Sequence, residues 1–401
     1  MSKHTQHSDI CIVGNGAVGK AAALGFSQAG LRVSLLSPTA NISAALVARS
    51  DDWDVRVYAL NHVAQRLLSG LKVWGALDAE RVAPVEAMQV YGDASGAAGK
   101  LNFDAYGAHA ESLAWIVEDR NLNQALDSAL RFAQNVSIVA GRATELVVDA
   151  EKATVQLENG DSLSAALLVG ADGAQSWVRG QCDIGLDYRP YGQQGVVCNF
   201  TCEKPHHGLA YQWFDEAHGI IALLPLAGQR VSLVWSAPDA LAQELLREPA
   251  ASLAARLAGY CAQQLGVLTP LQPELVRAFP LNLMRPHAMT APRVALIGDA
   301  AHVVHPLAGH GMNLGFADVR SLLDTVAQRE EHRDCGDARV LGRYARARKE
   351  EVALMQLTTD GLARLFGTDL EPVRLARKIG LNLLDHLPVL KRRLIGHAMG
   401  K

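Results

Sequence analysis

Short apolar runs bounded by polar or turn-forming residues set the rhythm of the chain. Ile10–Val13, Trp115–Val117, Leu167–Val169 and Val294–Ile297 are stretches of this kind, the mark of strands buried on both faces. Lys20–Ala29 has helical periodicity and is closed by Gly30, and Leu31–Leu36 follows as a second strand. Asn61–Leu68 and the run from Glu118-Asp119-Arg120 through Leu130 read as helices. Val136–Leu146 and Ala153–Leu157 read as strands, with Asn159-Gly160 supplying a hairpin turn. From Gln194 to about Val276 the period changes. Val196–Cys202, Leu209–Phe214, Ile220–Leu224 and Val231–Trp235 are short strands separated by Gly, Pro, His and Asp, and a helical stretch, Leu241–Leu265, follows them. Helical pattern resumes at Leu314 and continues to the end of the chain.

This order predicts an α/β protein: a Rossmann-like dinucleotide-binding domain with an inserted antiparallel β-sheet substrate domain and C-terminal helices. Residues 1–90, 111–190 and 285–365 are expected to form the dinucleotide-binding part. Residues 91–110 and 191–284 are expected to form the sheet domain, and 366–401 the C-terminal helices. A chain of 401 residues is long enough for two packed cores. With 49% hydrophobic and 20% charged residues it has a soluble globular composition. A net charge of -3 gives no electrostatic case for nucleic-acid binding. The start, Met1–Asp9, is polar and lacks an apolar signal core. No apolar run reaches the roughly 18 residues a membrane span needs, so the expected location is the cytoplasm.

The chemistry sits at strand ends. Gly14-Asn15-Gly16-Ala17-Val18-Gly19 is G-x-G-x-x-G between a strand and a helix. There the first glycine permits a tight turn, the second admits a pyrophosphate, and the third lets helix and strand pack closely. The acidic residue expected at the end of the second strand is instead Ser37, which lacks a charge-assisted hydrogen bond to a ribose. Leu167–Val169 ends in Gly170-Ala171-Asp172-Gly173, with Ser176 and Arg179 opening a helix, a turn suited to steadying a cofactor or meeting nicotinamide dinucleotide. Val294–Ile297 runs into Gly298–Asn313, GDAAHVVHPLAGHGMN. In that stretch Asp299 can accept from a sugar hydroxyl, and Gly309 and Gly311 let N–H groups at a helix start approach a ligand closely. Together the first and last motifs describe the two halves of an FAD site.

The remaining candidates carry less. Cys198 and Cys202 lie near His206 and His207, but their alternation with Phe200 puts them on one face of a strand, so no metal site is expected and the six cysteines read as reduced packing groups. Leu375–Met399 has an apolar face (Leu381, Leu384, Leu387, Leu394) beside Arg374, Arg377, Lys378 and Arg392, broken at Pro388. It reads first as a helix pair packed on its own domain, and second as a peripheral contact to the inner face of a membrane or to a biosynthetic complex. The sequence is compatible with a homo-oligomer.

In order and spacing these motifs resemble those of the class A flavoprotein aromatic hydroxylases, whose fold resembles p-hydroxybenzoate hydroxylase. Within that group the likeness is to the ubiquinone-biosynthesis hydroxylases. It rests on Ala210–Phe214, Leu223–Leu226, Val231–Trp235, Phe279–Leu281, the Gly298–Asn313 stretch, and the ending Gly380–Asp385 to Met399-Gly400. The resemblance implies FAD held by Gly14, Gly16, Ala17, Val18 and Gly19 at the pyrophosphate, with Ser37 at the adenosine ribose. It implies Arg56 and Asp172 as cofactor contacts, Asp299 at the ribityl or pyrophosphate region, and Pro306, Gly309, His310, Gly311, Met312 and Asn313 around the flavin ring. The family usually has Gln where this chain has His310, an imidazole able to titrate near the flavin. The implied reaction is hydride transfer from NAD(P)H to FAD, then reaction with O2 to a C4a-hydroperoxide that hydroxylates a polyprenylated phenol. The flavin carries this chemistry, so no catalytic side chain is expected, and His302 and His305 read as structural. A hydroxylase of a small soluble aromatic, and a catalytically weak flavin-binding scaffold, remain open as alternatives.

Overall fold

A computed structural model describes residues 4–38, 52–92, 99–107, 109–305 and 310–366. The chain begins β1 (Thr5–Val13), α1 (Ala17–Gln28), β2 (Val33–Ser37), β3 (Val57–Leu60), α2 (His62–Gly70), β4 (Ala83–Val85), β5 (Ala87–Tyr91), β6 (Lys100–Asp104), β7 (Ala114–Glu118) and α3 (Asp119–Arg131). It continues β8 (Val136–Ala140), β9 (Ala143–Val148), β10 (Ala153–Leu157), β11 (Ser162–Gly170), α4 (Trp177–Gln181), β12 (Leu186–Cys202), β13 (Leu209–Asp215), β14 (Gly219–Leu226) and β15 (Arg230–Pro238). It ends α5 (Asp239–Arg247), α6 (Ala250–Leu265), β16 (Leu268–Pro270), β17 (Arg277–Pro286), β18 (Thr290–Ala291), β19 (Val294–Leu296), α7 (His310–Ala327) and α8 (Ala338–Phe366).

The cofactor side is a parallel run β19-β11-β1-β2-β8, with β18 antiparallel at its edge and β10 and β9 curling off β11. Helix α1 is sandwiched between this sheet and α7, which its small residues make possible. A Cβ on Gly25 would lie 2.3 Å from a Leu323 methyl. The other large sheet runs β16-β12-β15-β14-β13-β5-β6, with β17 also on β12. It is antiparallel except that β5 runs parallel to β13. A small sheet, β3-β7-β4, lies between the two.

Two elements differ from the sequence pattern. The stretch Val136–Leu146 is not one strand, because β8 pairs with β2 while β9 pairs with β10, and the chain breaks direction at Gly141. The helical stretch Leu241–Leu265 is two helices, since Pro249 forces Glu248 into extended backbone at ψ 151° and caps the next helix.

One face of the larger sheet is sealed by α5 and α6. Val196, Cys198, Phe200, Cys202, Trp213, Leu233 and Trp235 pack there on Leu245, Leu253 and Leu257. Burial pushes the Cys198 thiol up to about 11 and Cys261 to about 12, so both stay neutral packing groups. Trp213, 1% exposed, stacks against Tyr91 and Tyr211 with ring centroids 5.5 and 5.8 Å away. Trp213→Ala is expected to lower stability by about 3–5 kcal/mol, seen as an earlier midpoint in urea unfolding followed by far-UV circular dichroism.

Candidate cofactor site

The glycines of the first turn divide the work as their spacing requires. Gly14 has φ +112°, and a Cβ there would lie 2.3 Å from the Ala171 carbonyl oxygen. At Gly19 a Cβ would lie 2.0 Å from the Gly14 oxygen. Neither position tolerates a side chain. Gly16 has nothing within 4 Å of where its Cβ would be, and it starts α1 with no side-chain cap. The uncapped N–H groups of α1 therefore sit beside an open surface, the arrangement that accepts an anionic group. Ser37 ends β2 and is 1% exposed.

Three turns converge on this edge. Val18 approaches Gly298 and Gly315, whose Cβ positions would lie 3.3 and 2.7 Å from its methyls. That contact joins the start of α1 to the turn after β19 and to α7. In the turn after β11 both carboxylate oxygens of Asp172 are engaged: the Ser176 hydroxyl donates to one at 2.5 Å and the Val178 N–H to the other at 3.0 Å. Arg179, 7% exposed, donates to the Ala300 carbonyl at 3.0 Å and to the Ala174 carbonyl at 2.8 Å. It thereby clamps this turn to the one that carries Asp299.

Asp299 lies in a single 3-10 turn, Gly298–Ala300, with Gly298 at φ +61°. Its side chain is open to solvent, with neighbouring protein on its other side. That partial desolvation is the largest influence on its carboxyl and pushes the pKa up. Charge on His302 and Arg56 pulls it down, and Asp318 pushes it up again. Arg56 lies over the Tyr58 ring at 5.6 Å. Desolvation works against its charge, but Tyr58, Asp119, Asp299 and Asp54 outweigh it and hold the guanidinium firmly protonated.

Helix α7 begins at His310. Gly311, in its first turn, has nothing within 4 Å of its Cβ position, a second open helix start. Met312 packs partly against the main core. Asn313 is buried with its amide spent internally: the Asn61 N–H donates to its oxygen at 2.9 Å, and its nitrogen donates to the Ala59 carbonyl at 2.7 Å. Pro306 and Gly309 lie outside the described residues, as does the side chain of His310.

The sequence pattern did not reveal what fixes the Asp299 turn. Asp318, on α7 and 0% exposed, accepts from the Gly298 N–H at 2.8 Å. His302 Nε2 lies 2.7 Å from the same carboxylate, and Arg348 Nε on α8 donates to its other oxygen at 2.7 Å. Burial would raise the Asp318 pKa, but the charges and hydrogen bonds of His302 and Arg348 reverse that and hold it down. His302 is thus spent on Asp318, and His305 Nε2 lies 3.2 Å from the side-chain oxygen Oε1 of Gln193. A lone carboxylate among Phe316, Val319 and Leu322 was the one available signal. Among the described residues no group of His, Cys, Asp and Glu is placed to hold a metal ion.

An open glycine at one helix start, a second helix start and an exposed carboxylate in the turn that Val18 joins to both suit a dinucleotide that carries a further ring system. A family model described as an FAD binding domain matches residues 7–357. The ubiquinone hydroxylase UbiL of Rhodospirillum rubrum is 34% identical over 98% of this chain and 90% of its own length. The 3-demethoxyubiquinol 3-hydroxylase of Escherichia coli is 35% identical over 98% of this chain and 99% of its own. The chain belongs to the FAD-dependent monooxygenases, in the family of ubiquinone-biosynthesis hydroxylases. The hydroxylase fold is shared by p-nitrophenol 4-monooxygenase PnpA of Pseudomonas putida DLL-E4, with TM-score 0.77 at 17% identity over 99% of this chain and 98% of that one. Klebsiella pneumoniae HpxO, solved with FAD and uric acid, matches with TM-score 0.74 at 18% identity over 98% of this chain and 96% of that one. The cofactor of the hydroxylase is FAD.

Two outcomes follow for the paired carboxylates. The raised pKa of Asp299 means its ionised form weighs against folding. Any stability it contributes is present below the unfolded value of about 3.9 and lost as pH rises through the folded value. Asp299→Asn is therefore expected to raise the melting temperature of the apoprotein at pH 7 while weakening FAD binding, checked by calorimetry and FAD titration. Asp318 has the opposite sign: its contribution is present above about 3.9 and lost as pH falls through its lowered folded value. Asp318→Asn strands a buried guanidinium and is expected to cost about 3–5 kcal/mol at neutral pH, a penalty that shrinks in acid-unfolding curves.

Proposed function

We propose that the protein hydroxylates the ring of a polyprenylated phenol in ubiquinone synthesis, using O2 and reducing equivalents from NAD(P)H. The observation that carries this reading is end-to-end likeness at about a third identity to hydroxylases named for that pathway, on a fold with a built cofactor edge.

Bound FAD, once reduced, supplies the activation of O2 that places one oxygen atom on the ring. The chain's own residues bind, orient and exclude water. Gly14, Gly16, Ala17, Val18 and Gly19 hold the pyrophosphate against the start of α1, with Ser37 toward the adenosine ribose. Asp299 accepts from sugar or ribityl hydroxyls, and Arg56 offsets its charge and that of the phosphates. Asp172 acts through the shape of its turn. The backbone N–H groups of residues 310–313 at the start of α7 would lie near the electron-rich edge of the flavin, where negative charge is favoured. The substrate enters against the larger sheet, whose unsealed face presents Val197, Ala222 and Val234, an apolar surface suited to a prenylated ring. No helix among the described residues is long and apolar enough to cross a membrane, so delivery of so apolar a substrate falls to a peripheral contact. The segment Leu375–Met399, outside the described residues, has the composition for it.

Cells lacking the protein are expected to accumulate a polyprenyl-phenol one hydroxylation short of the next quinone precursor, identified by mass spectrometry. An unchanged quinone pool in a strain with no second hydroxylase for that step overturns the proposal. Gly16→Val is expected to give protein with normal far-UV dichroism, little bound FAD and the same accumulation, because the side chain fills the open position at α1.

A further inference from the structure

The two faces of the larger sheet are treated differently. Opposite the face sealed by α5 and α6, strand register aligns Val197, Val234, Ala222, Gln212 and Val90 in one row across β12, β15, β14, β13 and β5. On one flank Phe214, Ile220, Val90 and Leu101 cover one another, and on the other Ala210 and Leu226 pack on Trp53 and Ile116. Between these flanks Ala222 and Val234 stay half-buried.

Two links carry the cofactor cleft to this face. Asn199, the next inward position after Val197 on β12, donates to the Asp54 carbonyl at 2.9 Å, immediately before the segment bearing Arg56. Further along β12, Gln193 meets His305 at 3.2 Å, in the stretch that leads to the start of α7.

Gln212 sits in the middle of this row. It is 6% exposed, and its amide makes no hydrogen bond to any described residue. Ser232 Oγ and Asn199 Oδ1, on the adjoining row, also lack partners, but protein seals them from water, whereas the Gln212 amide keeps contact with open space. A primary amide held out of bulk water without a partner is costly. Such an amide calls for a partner from outside the protein, a water or a ligand.

We propose that the Gln212 side chain hydrogen-bonds the ring hydroxyl of the phenol and so selects a neutral oxygenated ring. This rests on the function proposed above. The amide offers one acceptor and two donors, enough to accept from a phenol and to donate to it. No position from Val197 to Val90 in the row carries a charge, so nothing in it rewards an aromatic carboxylate. The apolar neighbours hold the ring and its alkyl substituents, and the amide fixes which edge of the ring faces the sheet. Gln212 is thus a specificity-determining residue.

The test uses the FAD-loaded protein and a farnesyl-substituted methoxyphenol, compared with the analogue in which hydrogen replaces the hydroxyl. Dissociation constants come from perturbation of the flavin absorption band. Wild type is expected to prefer the phenol by about tenfold, the worth of one buried neutral hydrogen bond. Gln212→Leu is expected to bind both compounds equally, with FAD content unchanged and a raised KM for the phenol. If Q212L fails to retain FAD, Gln212→Met, closer in length, takes its place in the same comparison. An undiminished preference for the phenol in the variant overturns the role of Gln212 and leaves the hydroxylase reading standing, provided wild type still converts the phenol. Wild type that neither binds nor hydroxylates the phenol overturns both.

Discussion

The site depends on one buried carboxylate. Asp318 takes the Gly298 N–H, His302 and Arg348 together, and so ties the strand-end turn, α7 and α8 into a single body. Two partners come from the turn and one from α8, and each would be left with an unmet charge or donor if the carboxylate were lost. Because the same turn carries Asp299 and the same carboxylate sits on α7, the relative placement of turn and helix is inherited from this knot. Arg179 reinforces it from the other side by holding the Ala300 carbonyl.

Around that knot the cofactor edge is made mostly of backbone. Gly14 and Gly19 are closed to any side chain and Gly16 is open, so helix and strand come close while the anion-binding end stays clear. Asp299 is the exception, a carboxylate kept in a setting that raises its pKa. The stability given up there is small beside the core that α1 forms between the sheet and α7.

The larger sheet shows the same economy in two faces. One is dry and filled with aromatic and branched side chains under α5 and α6. The other keeps a half-buried apolar strip in which the Gln212 amide has no partner among the described residues. Pro249, by breaking the covering helix in two, lets α5 and α6 each lie on the curved sheet. The small β3-β7-β4 sheet closes the lower part of the open face and leaves the middle free.

Much of this was legible in the chain. Strand-turn-helix order, the spacing of Gly14, Gly16 and Gly19, the acidic turn at Asp299 and the alternation of Val196–Cys202 are local patterns, and each reports a conformation only a few residues long. What the sequence could not decide depends on partners far along the chain. The amide of Asn313 bonds to Asn61 and Ala59, some 250 residues earlier. Asp318 and Gln212 read as ordinary polar residues until the fold buries them, one with every bond met and the other with none among the described residues. Local geometry follows from neighbouring residues, whereas burial and hydrogen-bond satisfaction are properties of packing, and only the tertiary structure assigns them.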